Sequence, residues 1–167
     1  MASSKRRNRR PAGYYEVAGI DLEREMERLC GLAVFGGAEG ALAQKPPRLD
    51  VRRSSKRPRR NLGFAVPDER RVSVTAYPGI RPGDIQETLL HELVHIALGR
   101  HEGGWHGRRF RSALKAAMRE GYGIRGVTAR ASTHGAYAEA LEQRRNAGSG
   151  RRRGSVHPGQ LALEPGA

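Results

Sequence analysis

Residues 88–98, TLLHELVHIAL, constrain the fold of this chain more than any other stretch. Wound as an α-helix, His91 and His95 lie four residues apart and one turn above the other. Two imidazoles so placed can share one metal ion, and Glu92 beside them can move a water proton: the H-E-x-x-H pattern of zinc hydrolases. On a helical wheel Ile85, Leu89, Leu90, Leu93, Val94, Ile96 and Ala97 form one broad apolar arc. His91, His95 and Thr88 fall outside that arc and Glu92 at its border. The pattern predicts a helix over 84–98 that buries one side and presents its histidines along the other. Asp84 reads as its N-cap, with Glu87 three residues later completing a capping box. Pro82-Gly83 breaks the chain before it, and Gly99 is a natural stop.

A helix of this kind needs a core to lie on. Hydrophobic residues make up 37% of the 167, and they concentrate between Tyr14 and Leu141. This predicts one domain over 14–145, flanked by disordered basic tails over 1–13 and 146–167. Ile20, Leu22, Met26, Leu29, Cys30, Ala33 and Val34 recur at helical spacing and predict a first helix over 21–35, capped by Asp21 and ended by Gly36-Gly37. Residues 36–47 read as a linker or a loose turn. From Arg48 the period shortens to two, predicting three short antiparallel strands at 48–53, 61–66 and 71–76, with Pro67-Asp68-Glu69 turning between the last two. Gly63 marks either a close approach of another backbone or a bulge. A further helix is expected from His106, with Phe110, Ala113, Leu114, Ala117 and Met118 inward, and a shorter helical patch over 135–145. The fold class is α+β.

Composition narrows the partners. Lys and Arg number 31 against 17 acidic residues, a net charge of +14 that attracts polyanions. Basic runs at 5–10, 52–60 and 151–153 predict non-specific, phosphate-directed DNA contact, with Arg52, Arg53, Lys56, Arg57, Arg59 and Arg60 as its central residues. Trp105 reads as a loop-packing residue, with base stacking as the alternative. Cys30 is the single cysteine, which excludes an internal disulfide and a cysteine-based zinc ribbon, and it reads as core. No stretch is apolar enough for a secretory signal or a membrane span, so a cytoplasmic location is expected.

A catalytic zinc takes three protein ligands and keeps a fourth position for water. Two residues compete for the third place. His101 stands six residues after His95, as in the metzincin pattern, although the glycine that pattern needs comes one residue late, at Gly99. His106 precedes Gly107 and shares a helical face with Phe110, which turns it toward the core.

His91-Glu92-Leu93-Val94-His95 followed by His106-Gly107-Arg108-Arg109-Phe110 resembles the SprT-like metalloprotease domain of the Spartan family over residues 20–125. The resemblance implies a zincin-like fold with Zn²⁺ on His91, His95 and His106. It also implies an endopeptidase acting in DNA–protein crosslink repair. Many members carry a C-terminal Cys-rich zinc ribbon, which this chain lacks. The implied chemistry is zinc-assisted peptide hydrolysis with Glu92 as general base, the protein or peptide substrate pairing with a sheet edge. Two other readings stay open: a metzincin-like protease that uses His101, and a non-catalytic zinc-containing nucleic-acid-binding protein.

Overall fold

The computed structural model describes residues 11–100, 104–127 and 135–152. A two-stranded hairpin, β1 (Glu16–Val17) and β2 (Ile20–Asp21), leads into helix α1 (Leu22–Cys30). Asp21 caps α1 as predicted, its carboxylate accepting the N–H groups of Glu23 and Arg24 at 3.1 Å each. The helix ends at Gly31, earlier than its apolar pattern suggested, because Ala33–Phe35 tighten into a 3-10 turn. The expected linker also holds structure, a 3-10 turn at Gly37–Glu39 and the short helix α2 (Ala41–Gln44).

Strands β3 (Arg48–Arg53), β4 (Gly63–Val66) and β5 (Arg71–Ala76) form one sheet in the order β3-β5-β4. The pairing corrects the antiparallel expectation. β4 and β5 are antiparallel around the Pro67–Glu69 turn, but β3 runs parallel to β5, with Arg48 opposite Arg71. The reason lies in β5, whose Val72, Ser73, Val74, Thr75 and Ala76 are all buried, so it takes the centre. The basic loop 54–62 passes the end of that central strand, where Ser54 N–H donates to the Ala76 carbonyl and Thr75 N–H to the Leu62 carbonyl.

Helix α3 (Pro82–Leu98) lies across the sheet and is also packed by α1, α4 (Arg108–Tyr122) and α5 (Ala136–Arg152). It is buried on nearly every side, His91 and His95 included, so the expected open histidine face is instead roofed by α4 and the turn before it. The helix begins at Pro82, whose fixed φ suits a first helical position, with Arg81 as N-cap. Asp84 is therefore the third helical residue. Its carboxylate accepts the Arg81 backbone N–H and, from the Arg81 guanidinium, Nε–H and Nη2–H.

Glu87 serves another helix: it accepts the N–H groups of Gly135 and Ala138 at the start of α5. In return Glu142 of α5 accepts the Gly83 N–H, and Glu139 pairs with Arg81. These exchanges lock α5 beside α3. The predicted patch at 135–145 is thus the first part of a helix running to Arg152, so residues 146–152, expected in the tail, are helical. Among the described residues no helix is long and apolar enough to cross a membrane.

Candidate metal centre

His91 and His95 project from one side of α3 near its C-terminal half, 3% and 6% exposed. The third imidazole comes from the turn that precedes α4. Gly104 enters this turn at φ +80, a left-handed conformation open to glycine, and Gly107 forms the N-cap of α4. His106 lies between them, ahead of the helix and not within it as expected from the sequence. Arg111 anchors the turn by donating to the His106 carbonyl at 3.2 Å.

The three rings meet. Nε2 of His106 stands 3.1 Å from Nε2 of His91 and 3.1 Å from Nε2 of His95. A neutral imidazole nitrogen carries either a proton or a lone pair, so a single Nε2 cannot bond well to both neighbours. A cation between them satisfies three lone pairs together. Nitrogens about 2.0–2.1 Å from a tetrahedral ion lie about 3.3–3.4 Å from each other, close to the observed spacing. The donor set and its geometry fit a metal ion, and His91, His95 and His106 form the cluster able to hold one. Partial burial lowers the His106 pKa, favouring the neutral ring that binds metals.

Phe110, fully buried on α4, packs against all three rings. Its centroid lies 4.8, 4.3 and 4.9 Å from those of His91, His95 and His106, and it is stacked on His95. This apolar wedge fixes ring orientation without offering a competing hydrogen bond.

Glu92 lies beside the cluster, 4% exposed, and burial pushes its carboxyl up to about 8. A dication on the adjacent imidazoles would pull it back down. The carboxylate reaches this position because strand β4 comes very close to α3. A Cβ added at Gly63 would sit 2.7 Å from Thr88 Cγ2 and 3.0 Å from Glu92 Cγ. The glycine therefore marks a close approach, the first of its two sequence readings, although the partner is a helix.

No protein-family model, curated protein or solved structure matches the chain.

The three histidines and Glu92 line a cavity of about 300 Å³ together with Asn61, Gly63, Phe64, Ala65 and Trp105. One wall is thus β4, which has no strand on its outer side among the described residues. Thr75 N–H donates to the Leu62 carbonyl, so Leu62, Phe64 and Val66 direct their backbone groups at β5. In that register the backbone groups of Gly63 and Ala65 point away from β5, along the cavity. Trp105 does not pack into the loop: it is 54% exposed at the cavity rim, its ring edge-on to His95 at 5.4 Å.

The basic residues divide into two sets. Arg53 donates to the carbonyls of Gly13, Tyr14 and Glu16, which ties down the N-terminal segment. Arg52 reaches Thr75 and lies over the Phe64 ring. Lys56, Arg57, Arg59 and Arg60 are exposed on the loop that runs into the cavity wall at Asn61. His101, Arg153 and the 5–10 run lie outside the described residues. Sequence reasoning missed Asn61 and Ala65 as cavity residues, since nothing in a short strand marks its free edge.

Proposed function

We propose that this chain is a zinc-dependent endopeptidase of SprT-like, zincin type, acting on proteins associated with DNA. The observation that carries the reading is the meeting of three imidazole nitrogens beside a buried carboxylate, in a cavity with a free strand edge as one wall. Three neutral imidazoles suit Zn²⁺, with a fourth position left for water. When bound, zinc supplies Lewis acidity toward that water and toward the scissile carbonyl.

The chain's own groups do the rest. Glu92 accepts a proton from the attacking water as its oxygen bonds to the carbonyl carbon. It then delivers that proton to the leaving nitrogen as the C–N bond breaks, so the carboxylate is regenerated. Gly63 and Ala65 present backbone donors and acceptors to an extended substrate, which aligns the peptide without reading its sequence. Phe110 keeps the imidazoles in register and water away from their inner side.

The DNA part of the reading rests on charge and place. Four exposed basic residues, Lys56, Arg57, Arg59 and Arg60, stand on the loop entering the cavity wall, within a chain of net charge +14. A phosphate backbone held there brings its bound proteins to the cleft. Glu92→Gln tests the chemistry. The variant is expected to keep its zinc and lose cleavage of a DNA-bound basic protein by a factor of at least about 10². Cleavage undiminished in this variant refutes the role of Glu92. Zinc retained with no cleavage by the wild-type chain favours the non-catalytic, nucleic-acid-binding alternative.

A further inference from the structure

We infer that Trp105 is the side-chain recognition platform of this cleft and selects extended segments with a large apolar or aromatic residue next to the bond to be cut. The inference rests on the peptidase reading for the position of that bond, but not for the binding itself.

Trp105 is the chain's single tryptophan and, with Val34, one of two exposed large hydrophobic residues among those described. Indoles bury readily, and one left 54% exposed in a turn held on both sides by functional geometry calls for a partner. Gly104 sets the turn on one side, and His106, a metal-cluster residue, follows on the other. The Trp105 ring also meets His95 edge-on at 5.4 Å, which holds it at the cavity rim.

Across the same cavity the strand edge supplies recognition of a different kind. The outward backbone groups of Gly63 and Ala65 can pair with any peptide, because they meet only main-chain atoms. Sequence selection must therefore come from side-chain surface on the cavity wall. Trp105 offers the large exposed apolar area there, and a planar ring suits aromatic or long aliphatic side chains. An acidic side chain would lose hydration against the ring and meet its negative π-face.

The full-length, zinc-loaded chain is given unfolded β-casein, and the cut sites are mapped by mass spectrometry. Large apolar residues are expected beside the cuts well beyond their share of casein. Two synthetic peptides, Phe or Gly at the position next to the main cut, are then compared. The wild-type kcat/KM ratio is expected to favour Phe by about tenfold, equivalent to about 1.4 kcal/mol. Trp105→Ser should bring the ratio close to one, and Trp105→Phe should restore most of it. A ratio cancels any general effect transmitted through His95.

Because the chain has one tryptophan, its emission reports the platform directly. The Phe peptide added to the Glu92→Gln protein should shift the emission to shorter wavelength, and the Gly peptide should not. Cuts placed without regard to apolar residues, together with an unmoved emission, overturn the platform and leave the peptidase reading standing. Intact casein with an emission shift specific to the Phe peptide overturns the peptidase reading and supports the platform.

Discussion

Replacing Gly63 by alanine adds one methyl group where β4 packs against α3. The new Cβ would stand 2.7 Å from Thr88 Cγ2, 2.9 Å from the Ser73 carbonyl oxygen and 3.0 Å from Glu92 Cγ. Ordinary carbon contacts lie at about 3.5–4.0 Å, so β4 and α3 must part by roughly 0.5–1 Å. None of the three atoms is the tip of a flexible surface chain: Thr88 and Glu92 belong to a buried helix, and Ser73 to the central strand. Overpacking of this kind costs about 1–3 kcal/mol. Alanine recovers about 0.4–1 kcal/mol by restricting the unfolded chain, which leaves a net loss of up to about 2.6 kcal/mol. At this chain length the melting temperature should fall by up to about 10 °C. On the proposed role of Glu92, cleavage should fall more steeply, because a shift near 1 Å at a general base costs on the order of 10² in rate. Urea denaturation and peptide cleavage of the Gly63→Ala variant measure both effects. A variant as stable and as active as wild type would refute the close approach.

Glu87→Gln separates a pH effect from a structural one. Burial raises the Glu87 carboxyl above its ordinary value, although the Ala138 and Gly135 N–H groups oppose the shift. The folded chain then holds this proton more tightly than the unfolded chain. Its contribution is full below the unfolded carboxyl pKa and is lost as pH rises through the raised folded value. The wild-type protein should therefore lose more stability than Glu87→Gln as pH rises above the ordinary carboxyl range in urea titrations, and equal slopes would contradict this. For the basic loop, changing Lys56, Arg57, Arg59 and Arg60 together to glutamine should flatten the salt dependence of DNA binding. The slope of log K against log salt should lose about 3–4 units, and an unaltered slope would exclude these residues as the phosphate contacts.

Much of the metal helix was legible because two signals coincide in it: apolar residues at helical spacing, and histidines one turn apart beside a glutamate. Strands β3 and β5 were legible with their bounds, since alternation marks half-buried strands well. Their relative direction was not, because alternation is the same in parallel and antiparallel pairs. The cap was misassigned for a related reason. Asp84 and Glu87 have the spacing of a capping box, yet Pro82 starts the helix earlier and frees Glu87 to cap α5. That interaction joins residues 48–51 apart in sequence, beyond the reach of any local pattern. The Gly, Ser and Arg residues after Asn146 read as a tail by composition, while the docking of α5 on α3 carries the helix through them. His106 was identified as a candidate ligand by the Gly107 and Phe110 that follow it, but its place ahead of α4 depends on Gly104 and on the packing of Phe110 beneath three rings.

The central claim is that one metal ion is held jointly by His91, His95 and His106. Metal content of the purified wild-type chain and of His106→Ala, each measured by elemental analysis after exchange into zinc-containing buffer and removal of free ion, tests it most directly. One zinc per wild-type chain and almost none in His106→Ala are expected, with the variant still folded by circular dichroism. A full equivalent of zinc in His106→Ala would contradict it.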